Sequence, residues 1–138
     1  PLLKSNKGGI HLTIPSRAYF GAVYCTMVPL ARDYIALNDH QLNGIEDSAQ
    51  APINTGIFDK LLLKVSANGL DDSSIFALRV NKVTSALSIT IPALAAGLFT
   101  KEATVKVISG DLVNFIIDCR LSGVGSIEFV PLIRFRPM

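Results

Sequence analysis

The sequence predicts an all-β chain: an antiparallel β-sandwich, a jelly roll of about eight strands. Three observations predict it. No segment of twelve or more residues repeats its apolar side chains at a helical period. Short runs rich in β-branched and aromatic residues alternate at period two, parted at near-regular spacing by Gly, Pro, Asn and Asp. One pair of runs, SIFALRV and VTSALSITI, is joined only by Asn81 and Lys82, the length of a tight hairpin.

In chain order, residues 1–9 (PLLKSNKGG) read as a flexible lead-in and residues 10–138 as a single jelly-roll domain. A short strand over 10–14 is stopped by Pro15, and a longer one spans 17–28, with Ala18, Phe20, Ala22, Tyr24 and Thr26 on one side. From 29 to 56 the signal weakens into turn-rich sequence holding one or two short strands at most. Residues 58–67 form the next strand, closed by the Asn68-Gly69 turn, and the Asn81-Lys82 hairpin follows. Pro92 ends that hairpin, 93–99 is irregular or one helical turn, and 103–109 is a strand. Gly110-Asp111 turns the chain into 112–120, where Val113, Phe115, Ile117 and Cys119 share a face. The last strand, 127–136, puts Ile127, Phe129, Pro131, Ile133 and Phe135 on one side and Glu128, Val130, Leu132, Arg134 and Arg136 on the other. Pro131 lacks an N–H and marks an edge or a bulge.

At 138 residues the chain can bury a core without metals or a disulfide framework. Its apolar fraction is 49% and its charged fraction 17%, against a typical charged share of about 25%. A domain so poor in charge is expected to hide part of its outer surface in a homo-oligomer. The two aliphatics Val130 and Leu132, set between charged neighbours on the outward side of the last strand, make an apolar centre with a polar rim. Val130, Leu132, Arg134 and Arg136 are therefore the candidate oligomer interface.

The net charge of +2, with Lys and Arg scattered, argues against a nucleic-acid partner. No apolar stretch approaches the roughly 18 residues of a membrane span, so no membrane insertion is expected. His11 and His40 stand in no HExxH or i, i+4 pair. No GxSxG elbow, P-loop or dinucleotide fingerprint is present, and SGVGS has its letters in the wrong order. Asp71-Asp72 reads as a solvated turn, since a calcium site wants more converging carboxylates. The expectation is a chain that is not an enzyme, with no catalytic residue, cofactor or metal. Cys25 and Cys119 read as buried thiols, as a bridge between early and late strands, or as an inter-subunit bridge. The most polar stretch, NDHQLNGIED, offers Asp39, His40, Asn43 and Glu46 as a candidate recognition loop for a surface glycan or an ion. With only Tyr34 nearby and no Trp, it lacks a stacking platform for sugars.

The C-terminal half runs FALRVNKVTSALSITI, then TVKVISGDLVNFIID, then SIEFVPLIRF. This resembles the trimeric jelly-roll heads, of tumour-necrosis-factor and complement-globular-head type, found at the ends of bacteriophage fibres and on bacterial collagen-like surface proteins. Asn81 stands as the hairpin Asn, Lys82 where those heads carry Gly, and Gly110-Asp111 as their Gly-Asp pair. IPSRAYFGAV and INTGIFDKLLLKV fit more loosely, so the likeness covers roughly residues 56–136. The resemblance implies a non-enzymatic, self-associating head or building block, a trimer by preference, assembled with other structural proteins of a virion fibre, capsid decoration or extracellular filament. Its place would be the virion or the extracellular cell surface. The alternative function is a receptor- or carbohydrate-binding module on the same scaffold.

Overall fold

The computed structural model describes residues 18–21, 25–27, 30–39 and 41–138. Its strands are β1 (Ala18–Gly21), β2 (Cys25–Met27), β3 (Arg32–Ile35), β4 (Leu42–Asn43), β5 (Ala51–Pro52), β6 (Gly56–Asn68), β7 (Ser74–Val80), β8 (Val83–Ile91), β9 (Gly97–Val107), β10 (Leu112–Asp118) and β11 (Ile127–Pro137), with one 3-10 turn at Glu46–Ser48. The expected lead-in, the strand over 10–14, His11 and His40 lie outside the described residues.

The strands form two antiparallel sheets. The first runs β1-β11-β6-β9, with β2 also pairing β11, and the second runs β4-β3-β10-β7-β8, with β5 also pairing β10. Count β1 and β2 together as one strand along β11, and set aside the two-residue β4 and β5. Eight principal strands then remain, in order 1-8-3-6 and 2-7-4-5. Every connection but the β7–β8 hairpin crosses between sheets, which is the jelly roll that the sequence predicted.

Alternation fills the space between the sheets. Leu61, Leu63 and Val65 of β6 and Ile127, Phe129 and Ile133 of β11 meet Phe76, Leu78, Phe115 and Ile117 of the second sheet, all buried. The Phe76 ring lies 5.1 Å from Phe115 in its own sheet and edge-on to Phe129 of the other sheet at 5.5 Å. Such pairs add about 0.5–1.5 kcal/mol beyond area burial. A second group, with Phe135 at 4.8 Å from Phe58 and 5.9 Å from Phe20, fills the far end of the first sheet.

Several expectations need correction. The single face from Ala18 to Thr26 is broken: Ala18 and Phe20 pack on the core, but Cys25 and Met27 are buried while Thr26 is exposed. The cause is register, because Gly21 pairs Leu132 and Cys25 pairs Phe129, four residues advancing against three. β9 begins at Gly97, six residues before the expected strand, because it stays paired to β6 as far as Val65. β10 is buried on both faces from Val113 to Ile117, so period-two reading accounts for only half of it. The 29–56 stretch holds three short strands. Of the two readings of Pro131, the edge fails, since β11 lies between β1/β2 and β6, and the bulge holds, since the extra residue between Gly21 and Cys25 falls opposite it. An ideal Cβ on Gly21 would come within 2.8 Å of the Pro131 carbonyl oxygen. That carbonyl therefore points to the β1 side, and the proline nitrogen, on the same edge of its residue, faces the interval between Gly21 and Cys25. The missing donor falls where it breaks no bond to β6.

Both hairpin residues take left-handed backbone, Asn81 at φ 50 and Lys82 at φ 66, with Val80 paired to Val83. That is a type I′ turn, whose twist matches the strands it joins. Asn81 also ties this turn to the next. Its N–H donates to the Leu112 carbonyl at 2.7 Å, the Leu112 N–H donates to its Oδ1 at 2.9 Å, and its Nδ2 donates to Asp111 Oδ1 at 3.0 Å. Asp111 Oδ2 in turn accepts the Ile108 N–H at 2.9 Å. The Gly-Asp turn and the hairpin are thus one knot. Asn81→Ala is expected to lower unfolding free energy by about 1–2 kcal/mol in urea titrations, from lost hydrogen bonds and a poorer left-handed residue; an unchanged midpoint would show that the knot is ornamental.

Candidate functional site

The two outer sheet faces differ. On the second sheet, Tyr34, Ile116, Ala77 and Ser88 line up across β3, β10, β7 and β8. This row would be an open apolar face, but residues 44–50 fold over it. Ala49 is buried there with Tyr34, Ala77 and Ile116. The anchor is ionic: Arg79 donates through Nε and Nη2 to both oxygens of Glu46, each at 2.8 Å, and Asn114 Nδ2 adds a bond at 3.1 Å. The Arg79 guanidinium also lies 5.9 Å from the Tyr34 ring centre. Glu46 is buried, and its carboxyl is held below the usual value, first by the Arg79 hydrogen bonds and further by Asn114, against the opposing effect of burial. A pair of this kind contributes above the unfolded carboxyl value of about 4.3 and is lost as pH falls through the folded value.

The first sheet has no such cover among the described residues. Leu132 pairs Leu62 of β6 on one side and Gly21 on the other, and Leu62 pairs Thr100 of β9. With no side chain at Gly21, Leu132 stays 38% exposed at the middle of the sheet. Val130 pairs Lys64, which pairs Leu98 of β9, an exposed leucine on the same face. Arg134 and Arg136 are fixed by a bulge. Phe58 pairs Phe135 and Lys60 pairs Arg134, so Asp59 is the extra residue between them. Its Oδ1 accepts from Arg134 Nε at 2.7 Å and its Oδ2 from Arg136 Nε at 2.8 Å. The Asp59 carboxyl is pulled below its usual value, chiefly by the Arg134 hydrogen bond. The four expected interface residues therefore lie on one face, as an aliphatic centre beside a clamped cationic corner.

Of the candidate recognition residues, Asp39, Asn43 and Glu46 are described, and each is engaged within the fold. Asn43 pairs Tyr34 in the β3–β4 ladder, Asp39 Oδ1 accepts the Gln41 N–H at 3.4 Å, and Glu46 faces inward onto Arg79. Asp71 Oδ1 accepts the Gly123 N–H at 2.8 Å, and the Asp72 N–H donates to Ser122 Oγ at 3.2 Å, so these turns are locked to each other. Among the described residues no group of three or more His, Cys, Asp or Glu could hold a metal ion. Cys25 and Cys119 stand as buried thiols. Burial, with smaller effects of neighbouring carboxylates, pushes them up to about 11 and about 12.

Sequence reading missed Asp59, Leu62, Arg79 and Asn114. Two of them left a signal. Aspartate is rare inside strands, so Asp59 between Phe58 and Lys60 hinted at a bulge. In the run Leu61-Leu62-Leu63 one leucine must face outward.

No family model and no curated protein matches the chain. Among solved structures, it is similar to a chain of the acidic stable capsid of Helicobacter pylori bacteriophage KHP30, with a TM-score of 0.47 and 13% identity over 87% of this chain and 92% of that one. At that level of likeness the jelly-roll assignment rests on the strand ladders.

Glu46→Gln is expected to lose about 3 kcal/mol at neutral pH, because Arg79 stays largely buried without its counter-charge. The gap to wild type should begin to narrow as pH falls below the unfolded carboxyl value of about 4.3 and close once wild-type Glu46, held lower in the fold, protonates as well; a gap that does not narrow on acidification would contradict the ionic anchor. A thiol reagent at pH 8 should label neither cysteine in the folded chain and both in denaturant.

Proposed function

We propose that the chain is a non-enzymatic structural protein, a self-associating jelly-roll building block or head of a virion fibre, capsid decoration or extracellular filament. It assembles as a homo-oligomer, a trimer by preference, with other structural proteins of the same particle, through the outer face of the β1/β2-β11-β6-β9 sheet. The observation that carries this reading is the contrast between the two faces. The chain covers the Tyr34–Ile116 face with its own 44–50 segment, yet leaves Leu132, Leu62 and Val130 without cover among the described residues. Aliphatics ringed by Lys64, Glu128 and the Asp59-held arginines suit an interface with a dry centre and a polar rim. The clamp favours it further, because arginines already held by Asp59 lose little freedom when a neighbour docks.

The alternative of a glycan- or receptor-binding module gains nothing from the 38–47 loop, whose Glu46 is taken up within the fold.

Leu132→Asp should keep a wild-type circular dichroism spectrum and dissociate the assembly in light scattering, since an unpaired carboxylate in an interface costs several kcal/mol. Phe129→Asp, with its side chain between the sheets, should unfold the chain. A Leu132→Asp protein that assembles like wild type would remove this face from the proposal.

A further inference from the structure

Two leucines stand in the left-handed region, Leu30 at φ 61 and Leu94 at φ 62. An apolar residue with a Cβ is disfavoured there, where Gly or Asn sits at ease. Burying the side chain could offset the strain, but Leu30 is 68% exposed and Leu94 67%. Neither leucine side chain is thus buried by the described residues of a single chain. Strained positions of this kind mark functional surfaces.

The two share one end of the sandwich. Ile127 pairs both Met27 and Asn68, and Ser74 pairs Ile91, so the connections that follow β2, β6, β8 and β10 converge. Leu121 and Val124, also exposed, stand on the same end. Backbone bonds fix this platform. The Leu30 N–H donates to the Cys119 and Ser122 carbonyls at 3.1 and 3.0 Å, the Leu94 N–H to Leu70 at 3.2 Å, and the Gly69 N–H to Ser126 at 2.7 Å. Its charges sit at the rim: Asp71 accepts the Gly123 amide, Asp72 the Ser73 amide, and Asp118 pairs the Arg120 guanidinium at 2.8 Å. Leu30, Leu94, Leu121 and Val124 form a rigid aliphatic crown inside that rim, and its centre suits an apolar partner. The chain has no Trp and no basic cluster here to anchor a bilayer surface.

The opposite end of the same chain offers such a partner. There, among the described residues, a concavity of about 590 Å³ is lined by Ala18, Phe20, Ile53, Phe135 and Pro137, with Asn54, Thr55 and Ser109 at its side. We propose that the crown docks into this concavity on a second copy, stacking jelly rolls head to tail. Two different surfaces meet, so the contact is heterologous and repeats along the sandwich axis without closing. This rests on the self-assembly reading above and adds a longitudinal contact that the β11 face, on the side of the sandwich, does not provide.

The test compares wild type, the Leu30→Gly/Leu94→Gly double variant and Leu132→Asp by sedimentation velocity and electron microscopy over rising concentration, with thermal melts. Wild type should form stacks. The double variant should melt at the same temperature or a few degrees higher, keep the lateral oligomer and lose the stacks. Leu132→Asp should lose the lateral oligomer yet still form end-to-end strings, so failure of one contact is distinguishable from failure of the other. Stacking by the double variant as by wild type, or wild type that never grows past the lateral oligomer, would overturn the proposal. So would flotation of wild type, but not the double variant, with phosphatidylcholine vesicles, which would make a bilayer the occupant.

Discussion

The fork between Arg79 and Glu46 decides which side of this molecule is finished. Arg79 is a strand residue on the outer face of the second sheet, and Glu46 belongs to a turn that makes few apolar contacts of its own, since Ile45 beside it points to solvent. Without the charge pair, little would hold that turn over Tyr34 and Ile116. With it, the face is closed and β10 becomes a strand buried on both sides. The pair is held by Asn114 and Tyr34 as well, which suits a charge taken out of water.

The first sheet uses the same chemistry to a different end. Asp59, placed outward by a bulge, forks two arginines of the neighbouring strand instead of anchoring a cover. A bulge re-aims a side chain without ending the ladder, so β6 continues past it to Asn68. One carboxylate thus seals a surface and the other braces one that is left open. The contrast comes from backbone position, since both anions meet arginine.

Much of the scaffold was legible in the sequence because period-two alternation and turn residues are local signals. β6, the β7–β8 hairpin, β10 and β11 stood in SIFALRV, VTSALSITI and their neighbours, and Val130 and Leu132 were assigned outward from alternation alone. What could not be read was set by partners distant in sequence. The phase change between Gly21 and Cys25 is dictated by β11, the early start of β9 by β6, and the inward turn of Glu46 by Arg79 and Asn114. A polar string such as NDHQLNGIED looks alike whether its acid faces water or a buried guanidinium. Likewise, no local pattern shows that Leu30 and Leu94 meet at one end of the sandwich.

The ladder between β1 and β11 joins Ala18 to Phe135, so the first described strand and the last are neighbours. The core side chains Ile127, Phe129, Ile133 and Phe135 all arrive on that final strand. During synthesis, therefore, the sandwich stays open along one side until nearly all the described chain has left the ribosome. Non-local pairing of this sort is slow to form and leaves apolar strand edges waiting. β6 keeps β9 on one side in that interval and leaves its other edge unpaired, since β11 is its partner there along nearly its whole length. The same leucine-rich edge that later joins the first sheet is, before closure, where two nascent chains would stick to each other.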